Sequence, residues 1–196
     1  MTLREILAEI DDLKNRIDSL RPIDPAQEQR IMQKFRLDWN FHSQVKIGQY
    51  KTTPNSVKTN TGAIYYYASP EETPALMGEL MQWFRAESEK GDLHPLIVAA
   101  TFHYRFVRIH PFDDGNGRMA RLLMNLILMQ TGYVPVIIKL ASKGAYLFAL
   151  EQADAGELED FIVLVEGELI YSMELYLRGV RGEDIEGIGD LNRYSL

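Results

Sequence analysis

His110-Pro111-Phe112-Asp113-Asp114-Gly115-Asn116-Gly117-Arg118-Met119-Ala120-Arg121, followed at once by Leu122-Leu123-Met124-Asn125-Leu126-Ile127-Leu128-Met129, decides how this chain is read. The second part is apolar nearly all round and predicts a central, buried helix, with Gly132 as its C-terminal cap. The first part gathers an ionisable base, a carboxylate, a Gly-Asn-Gly turn and two arginines at the start of that helix. The glycines let backbone N–H groups point at an anion, and the helix start adds the positive end of its dipole. Arg118 and Arg121 stand at i and i+3, so both guanidinium groups leave one helix face. The set suits a polyphosphate carrying a metal. Asp114 is a hard oxygen ligand of the kind Mg²⁺ takes, and His110 accepts a proton near neutral pH.

A plainer reading exists for each of these residues. Arginines at the mouth of an apolar helix lose their hydration unless paired, and an ion pair with Asp113 or Asp114 would satisfy them. Such a pair has no need of Gly115-Asn116-Gly117, nor of His110 at the same turn. His94 and His103 lack the i, i+4 spacing of a helical zinc site, so with His42 they read as structural or exposed. Phe112 reads as an anchor that fixes the loop.

Outward from the motif the pattern is helical. Leu3, Ile6, Ile10, Leu13, Ile17 and Leu20 recur at 3-4-3-4-3 spacing, as in a helix packed on its own domain; a homodimer seam is the alternative use of that stripe. Asp24 before Pro25 predicts an N-cap and a second helix through about Trp39. Residues 45–69 change character. Gly48, Pro54, Asn55 and the polar run Thr59 to Gly62 precede Ala63-Ile64-Tyr65-Tyr66-Tyr67, which reads as a hairpin. Helices follow from Pro74 to Gly91, from His94-Pro95 to Ile109, from Lys143 to Asp154 behind a Ser142 cap, and from Leu158 to about Leu177. The Gly- and acid-rich stretch from Gly179 then reads as a linker or frayed end. The expected fold is all-α: a helical bundle around a buried central helix, with one β-hairpin.

Composition narrows the function classes. The 196 residues are 46% hydrophobic and hold no cysteine, which excludes disulfides and thiolate zinc sites. A formal net charge of −7 argues against broad nucleic-acid binding. No apolar run reaches membrane-spanning length, and the N-terminus lacks the features of a signal peptide, so a cytoplasmic protein is expected.

The motif from His110 to Arg121 resembles the signature of Fic-domain proteins, His-x-Phe-x-Asp-Gly-Asn-Gly-Arg-x-x-Arg, with every defining position filled. The flanking helices, the hairpin and the segment from Tyr146 to Gly156 are also similar to that family. The resemblance divides the chain into an N-terminal helical region (1–42), a Fic core (43–178) with its flap at about 45–69, and a C-terminal linker or tail (179–196). It implies transfer of AMP from ATP to a hydroxyl side chain of a target protein, with release of pyrophosphate. By position, His110 would take the proton from the target Ser, Thr or Tyr, and Asp114 would hold Mg²⁺. Gly115, Asn116 and Gly117 would form the anion hole, Arg118 would meet the β-phosphate and Arg121 the γ-phosphate. Phe112 and Tyr146 complete the nucleotide-binding set, Tyr146 bordering the adenine or the target side chain. Gly117 stands where phosphotransferase relatives carry lysine, which favours nucleotidyl transfer. The target would dock along the hairpin at about 55–67.

Many relatives also carry a Ser/Thr-x-x-x-Glu-Gly helix whose glutamate occupies the second motif arginine. Here Ser43 is followed by Gln44-Val45-Lys46-Ile47-Gly48, so Ile47 holds the glutamate position. A later Ile185-Glu186-Gly187 has the Glu-Gly pair but Gly182 in place of Ser/Thr. In relatives the removal of AMP from a modified protein depends on that glutamate, so this activity ranks below transfer. A nucleotide-sensing regulatory module is the other alternative.

Overall fold

Helix ends expose backbone groups that need partners, and several of this chain's elements start or stop at residues that supply them. The structure, a computed structural model, describes residues 2–37, 49–58 and 62–185. It contains α1 (Leu3–Ser19), α2 (Pro25–Leu37), β1 (Ser56–Lys58), β2 (Ile64–Tyr66), α3 (Thr73–Lys90), α4 (Pro95–Ile109), α5 (Asn116–Gln130), α6 (Lys143–Asp154) and α7 (Leu158–Val180). The two strands pair antiparallel, Val57 opposite Tyr65. The fold is therefore all-α with one hairpin, as the sequence predicts. Two units make up the chain: Met1–Asn40 with Leu128–Leu196, and Phe41–Ile127; α5 runs from the second into the first. No described helix is long and apolar enough to cross a membrane.

In the first unit the stripe Ile6, Ile10, Leu13 and Ile17 is buried, and α1 packs on α7 of its own chain. A signal not taken from the sequence starts α1. Thr2 and Glu5 form a capping box in which Thr2 N–H donates to Glu5 Oε2 at 2.7 Å and Glu5 N–H donates to Thr2 Oγ1 at 3.3 Å. Asp24 caps α2 as expected, its Oδ1 accepting from the N–H groups of Ala26 and Gln27 at 3.0 and 3.1 Å. The expected end of that helix at Trp39 lies outside the described residues.

Two local expectations change here. Ser142 precedes α6 but does not cap it. Its hydroxyl donates to the buried Glu168 carboxylate, which also pairs with Lys139 Nζ at 3.1 Å; a buried anion outcompetes a helix amide for a donor. The last helix also runs past Leu177 to Val180. Gly179 is not a chain break: a Cβ there would lie 2.6 Å from Ile31 Cγ1 on α2. Glycine stands at that point because the two helices come too close for any side chain.

In the second unit α3 ends on Gly91, whose φ of +68° only glycine adopts without strain. Phe84 of α3 meets Phe102 of α4 edge-on at 5.4 Å, and Phe106 lies one turn further along the same buried face. The all-round apolar pattern after Arg121 predicts burial on every side. Observed burial is one-sided: Ala120, Met124, Ile127 and Leu128 are buried, whereas Leu126 and Met129 are 49% and 42% exposed.

Two stability measurements check this packing. Gly179→Ala forces a methyl onto Ile31 and is expected to cost about 1–3 kcal/mol, read by denaturant or thermal melts. Glu166 of α7 is buried, and neither carboxyl oxygen has a hydrogen-bond partner among the described residues. Burial pushes its pKa up from 4.5 to about 7, with Glu159 adding to the rise. The unfolded chain therefore ionises first, and stability falls as pH rises from about 4.5 to 7. Glu166→Gln is expected to raise the melting temperature at pH 8 and to leave it nearly unchanged at pH 4.

Candidate active site

α4 ends on His110, which has φ 51° and ψ 59°, the left-handed cap conformation that non-glycine residues seldom take. Its N–H donates to Phe106 O at 3.0 Å. The ring lies with Nδ1 3.1 Å from Val107 O. A carbonyl only accepts, so Nδ1 carries the proton and Nε2 keeps its lone pair. The ring of Tyr67 stacks on the imidazole at 3.8 Å and 16°. Burial holds the His110 pKa below its ordinary 6.5, and the Lys51 cation acts in the same direction; the Val107 bond and Asp114 oppose them. His110 is thus a neutral base at pH 7.

The loop after His110 is closed by Asn116, the first residue of α5. Phe112 N–H donates to Asn116 Oδ1 at 2.9 Å, and Asn116 Nδ2 donates to Phe112 O at 2.7 Å. Gly115, at φ +80°, makes the left-handed turn into the helix. The N–H groups of Asn116 and Gly117, in the first turn, have no acceptor inside the helix and mark the positive end of its dipole. Asn116 is 2% exposed and its side-chain amide is bonded at both ends, so that amide is fully engaged within the loop.

Arg118 pairs with Asp114, Nη2 to Oδ2 at 3.0 Å, with the carboxylate side chain 76% exposed. The ion-pair alternative raised for the motif arginines is thus realised at Arg118, on a carboxylate that still faces solvent. Arg121 lies over Gly117: a Cβ at 117 would be 3.6 Å from Arg121 Nη1, so a side chain there would lie against the guanidinium. His103 is fully buried, and burial first, then the Arg121 charge, holds its pKa at about 3. It stays neutral. His94 caps α4, its Nδ1 accepting from Leu96 N–H at 3.2 Å. No cluster of three potential metal-ligating acids or histidines occurs among the described residues. Tyr146 belongs to the other unit, where it is buried with its ring 5.9 Å from that of Phe161. His42, Ser43, Ile47, Glu186 and Gly187 lie outside the described residues.

Residues not singled out from the sequence hold the hairpin to this loop. Lys51 is 3% exposed. Its N–H donates to Pro111 O at 2.8 Å, and its Nζ donates to Ile109 O at 3.1 Å and to Asn55 Oδ1 at 2.8 Å. Asn55 Nδ2 then donates to Phe112 O at 3.0 Å. Tyr65 of β2 lies under the Arg108 guanidinium at 4.0 Å, and Tyr67, just past the strand's end with its ring 5.3 Å from that of Tyr65, meets His110. Ile64 and Tyr66 face the other way and are 59% and 67% exposed. The Tyr-Tyr-Tyr run at period two was the available signal for Tyr65 and Tyr67; nothing local marked Lys51. Asn116→Ala removes both bonds to Phe112 and is expected to lower stability by about 1–3 kcal/mol and to shift the NMR signals of His110.

Known proteins are similar to this chain in sequence and fold. The Fic/DOC family profile matches residues 25–128. Protein adenylyltransferase Fic of Drosophila grimshawi is 40% identical over 108 residues, 55% of this chain. The chain covers only 22% of that relative's length. A Fic-domain-containing signaling protein from Bacteroides thetaiotaomicron superposes with a TM-score of 0.84 at 30% identity, over 92% of this chain and 99% of that one. Fic-1 from C. elegans shares the fold, with a TM-score of 0.72 at 22% identity over 91% of this chain and 73% of that one. In sequence and in fold, this chain belongs to the Fic/DOC family.

Proposed function

We propose that this chain transfers AMP from MgATP to a hydroxyl side chain of a target protein, releasing pyrophosphate. The observation that carries this reading is the neutral His110, with Nε2 as acceptor, four residues from Asp114 and six from the first turn of α5. The target oxygen attacks the α-phosphorus as its proton passes to Nε2 of His110, and the bond from the α-phosphorus to the bridging oxygen of pyrophosphate breaks. Backbone N–H groups at Gly115 to Gly117 face the phosphates, where the dipole of α5 favours negative charge. Arg118 and Arg121 hold the β- and γ-phosphates from one helix face. Phe112 shapes the loop that carries them.

Asp114 would hold a magnesium ion, which would supply charge neutralisation on the polyphosphate. The exposed Asp114 carboxylate fits that ion, which keeps most of its waters and takes one or two protein oxygens. Gly117 leaves Arg121 uncovered on one side, in keeping with a bound triphosphate rather than with a lysine that moves a terminal phosphate.

The hairpin presents an edge for the target. Tyr67 N–H donates to Asn55 O at 3.2 Å, so by alternation Tyr65 also bonds inward to β1, while the N–H and C=O of Tyr66 face outward. An extended target segment would pair there. The relatives' name supports the reaction class, and this chain's target protein is the partner the reading requires.

Incubation with labelled ATP tests the reading. His110→Ala is expected to cut label transfer, to added protein or to the chain itself, by about 100-fold or more; transfer that survives the substitution would refute the assignment. Because His110 must be neutral and its pKa is lowered, the acid limb of the rate profile should have its midpoint below pH 6.5.

A further inference from the structure

Beside β2 a groove of about 500 Å³ opens between the hairpin, α3 and α4, and the proposed chemistry does not use it. Its floor is Leu80 and Ile109, both buried, and its sides include Tyr65, Leu76 and Tyr104. Four charged residues also line it: Arg108 lies over the Tyr65 ring at 4.0 Å, Arg105 lies over the Trp83 ring at 4.3 Å, Glu72 accepts from Ser69 N–H at 2.9 Å, and Glu79 is exposed. Leu76, Leu80, Ile109, Tyr65 and Tyr104 give an incoming group a mainly apolar and aromatic surface, with the exposed Glu79 beside it.

Its position relative to His110 follows from the strand register. Tyr65 of β2 lines the groove, and Tyr67, one residue past the strand's end but still paired with Asn55, stacks on His110; their rings meet at 5.3 Å on one face. A segment paired with the outward N–H and C=O of Tyr66 puts two of its own side chains on that face, opposite Tyr65 and Tyr67. They are two residues apart, roughly 6.6–6.8 Å along the strand. When one is the hydroxyl residue at His110, the other stands over the groove. We infer that the groove receives a large apolar side chain, aliphatic or aromatic, two positions from the modified hydroxyl in the target. The groove would then set target sequence preference for the AMP transfer proposed above, on which this inference rests.

The test uses this chain, MgATP and three synthetic peptide libraries with a central Ser, Thr or Tyr and randomised flanks, the modified peptides being captured and sequenced. Leu, Ile, Met, Phe and Tyr together are expected to exceed Ala by about fivefold or more at −2 or +2, a discrimination ordinary for a hydrophobic pocket. Leu76→Trp fills the groove and should reduce that ratio below about twofold, while Leu76→Ala should move the preference toward the larger aromatics. Thermal melts report the folding of each variant, and the alanine variant carries the comparison if the tryptophan variant does not fold. Modified peptides with no preference at either position, a preference for charged residues there, or a preference untouched by the folded variants would overturn the inference. So would a chain that labels itself but no peptide. Absence of any transfer, to itself or to peptides, would instead overturn the AMP-transfer reading and this inference with it.

Discussion

The side-chain amide of Asn116 both donates to and accepts from the backbone of Phe112, and the geometry of the site depends on the loop this closes. α4 stops at His110 and α5 starts at Asn116, with left-handed backbone at His110 and again at Gly115. Between these bends the chain has few ways to satisfy its own amides, and an unpaired buried group costs about 1–3 kcal/mol. Asn116 supplies a donor and an acceptor at one point, which fixes where the base leaves one helix and where the dipole of the next begins. In the proposed reaction the anion role at this position falls to the backbone N–H, because the side chain is already engaged.

The second constraint is the buried Lys51, which ties the hairpin's leading segment to the same loop through Ile109, Pro111 and Asn55. Burial draws its pKa down, and Asp113 and Glu72 act against that. Its charge helps to keep His110 neutral. The stack of Tyr67 on His110 and of Arg108 on Tyr65 fixes the face of β2 that meets α4. The hairpin, His110 and the loop into α5 are thus held together by Lys51, Asn55, Tyr65 and Tyr67.

Much of this was legible along the chain. The 3-4 stripe of α1, the Asp24 cap, the Gly91 and Gly132 stops and the helix bounds around the motif follow from spacing and capping chemistry, which are local. Thr2-x-x-Glu5 was equally readable as a capping box. Ser142, Gly179 and the exposed side of α5 were not. Ser142 answers to Glu168, 26 residues away, and Gly179 answers to Ile31. Leu126 and Met129 show that an apolar composition does not require burial on every side.

By itself the sequence determined the helical class, the hairpin and the family signature from His110 to Arg121. These rest on residue types at short, fixed spacings, which backbone geometry converts directly into shared faces and turns. Only the tertiary structure decided the tautomer of His110, the engagement of Asn116 and Arg118, and the clamp built by Lys51, Asn55, Tyr65 and Tyr67. Those outcomes depend on which partners folding brings within hydrogen-bonding reach. Where those partners are far apart in the chain, no local spacing records them.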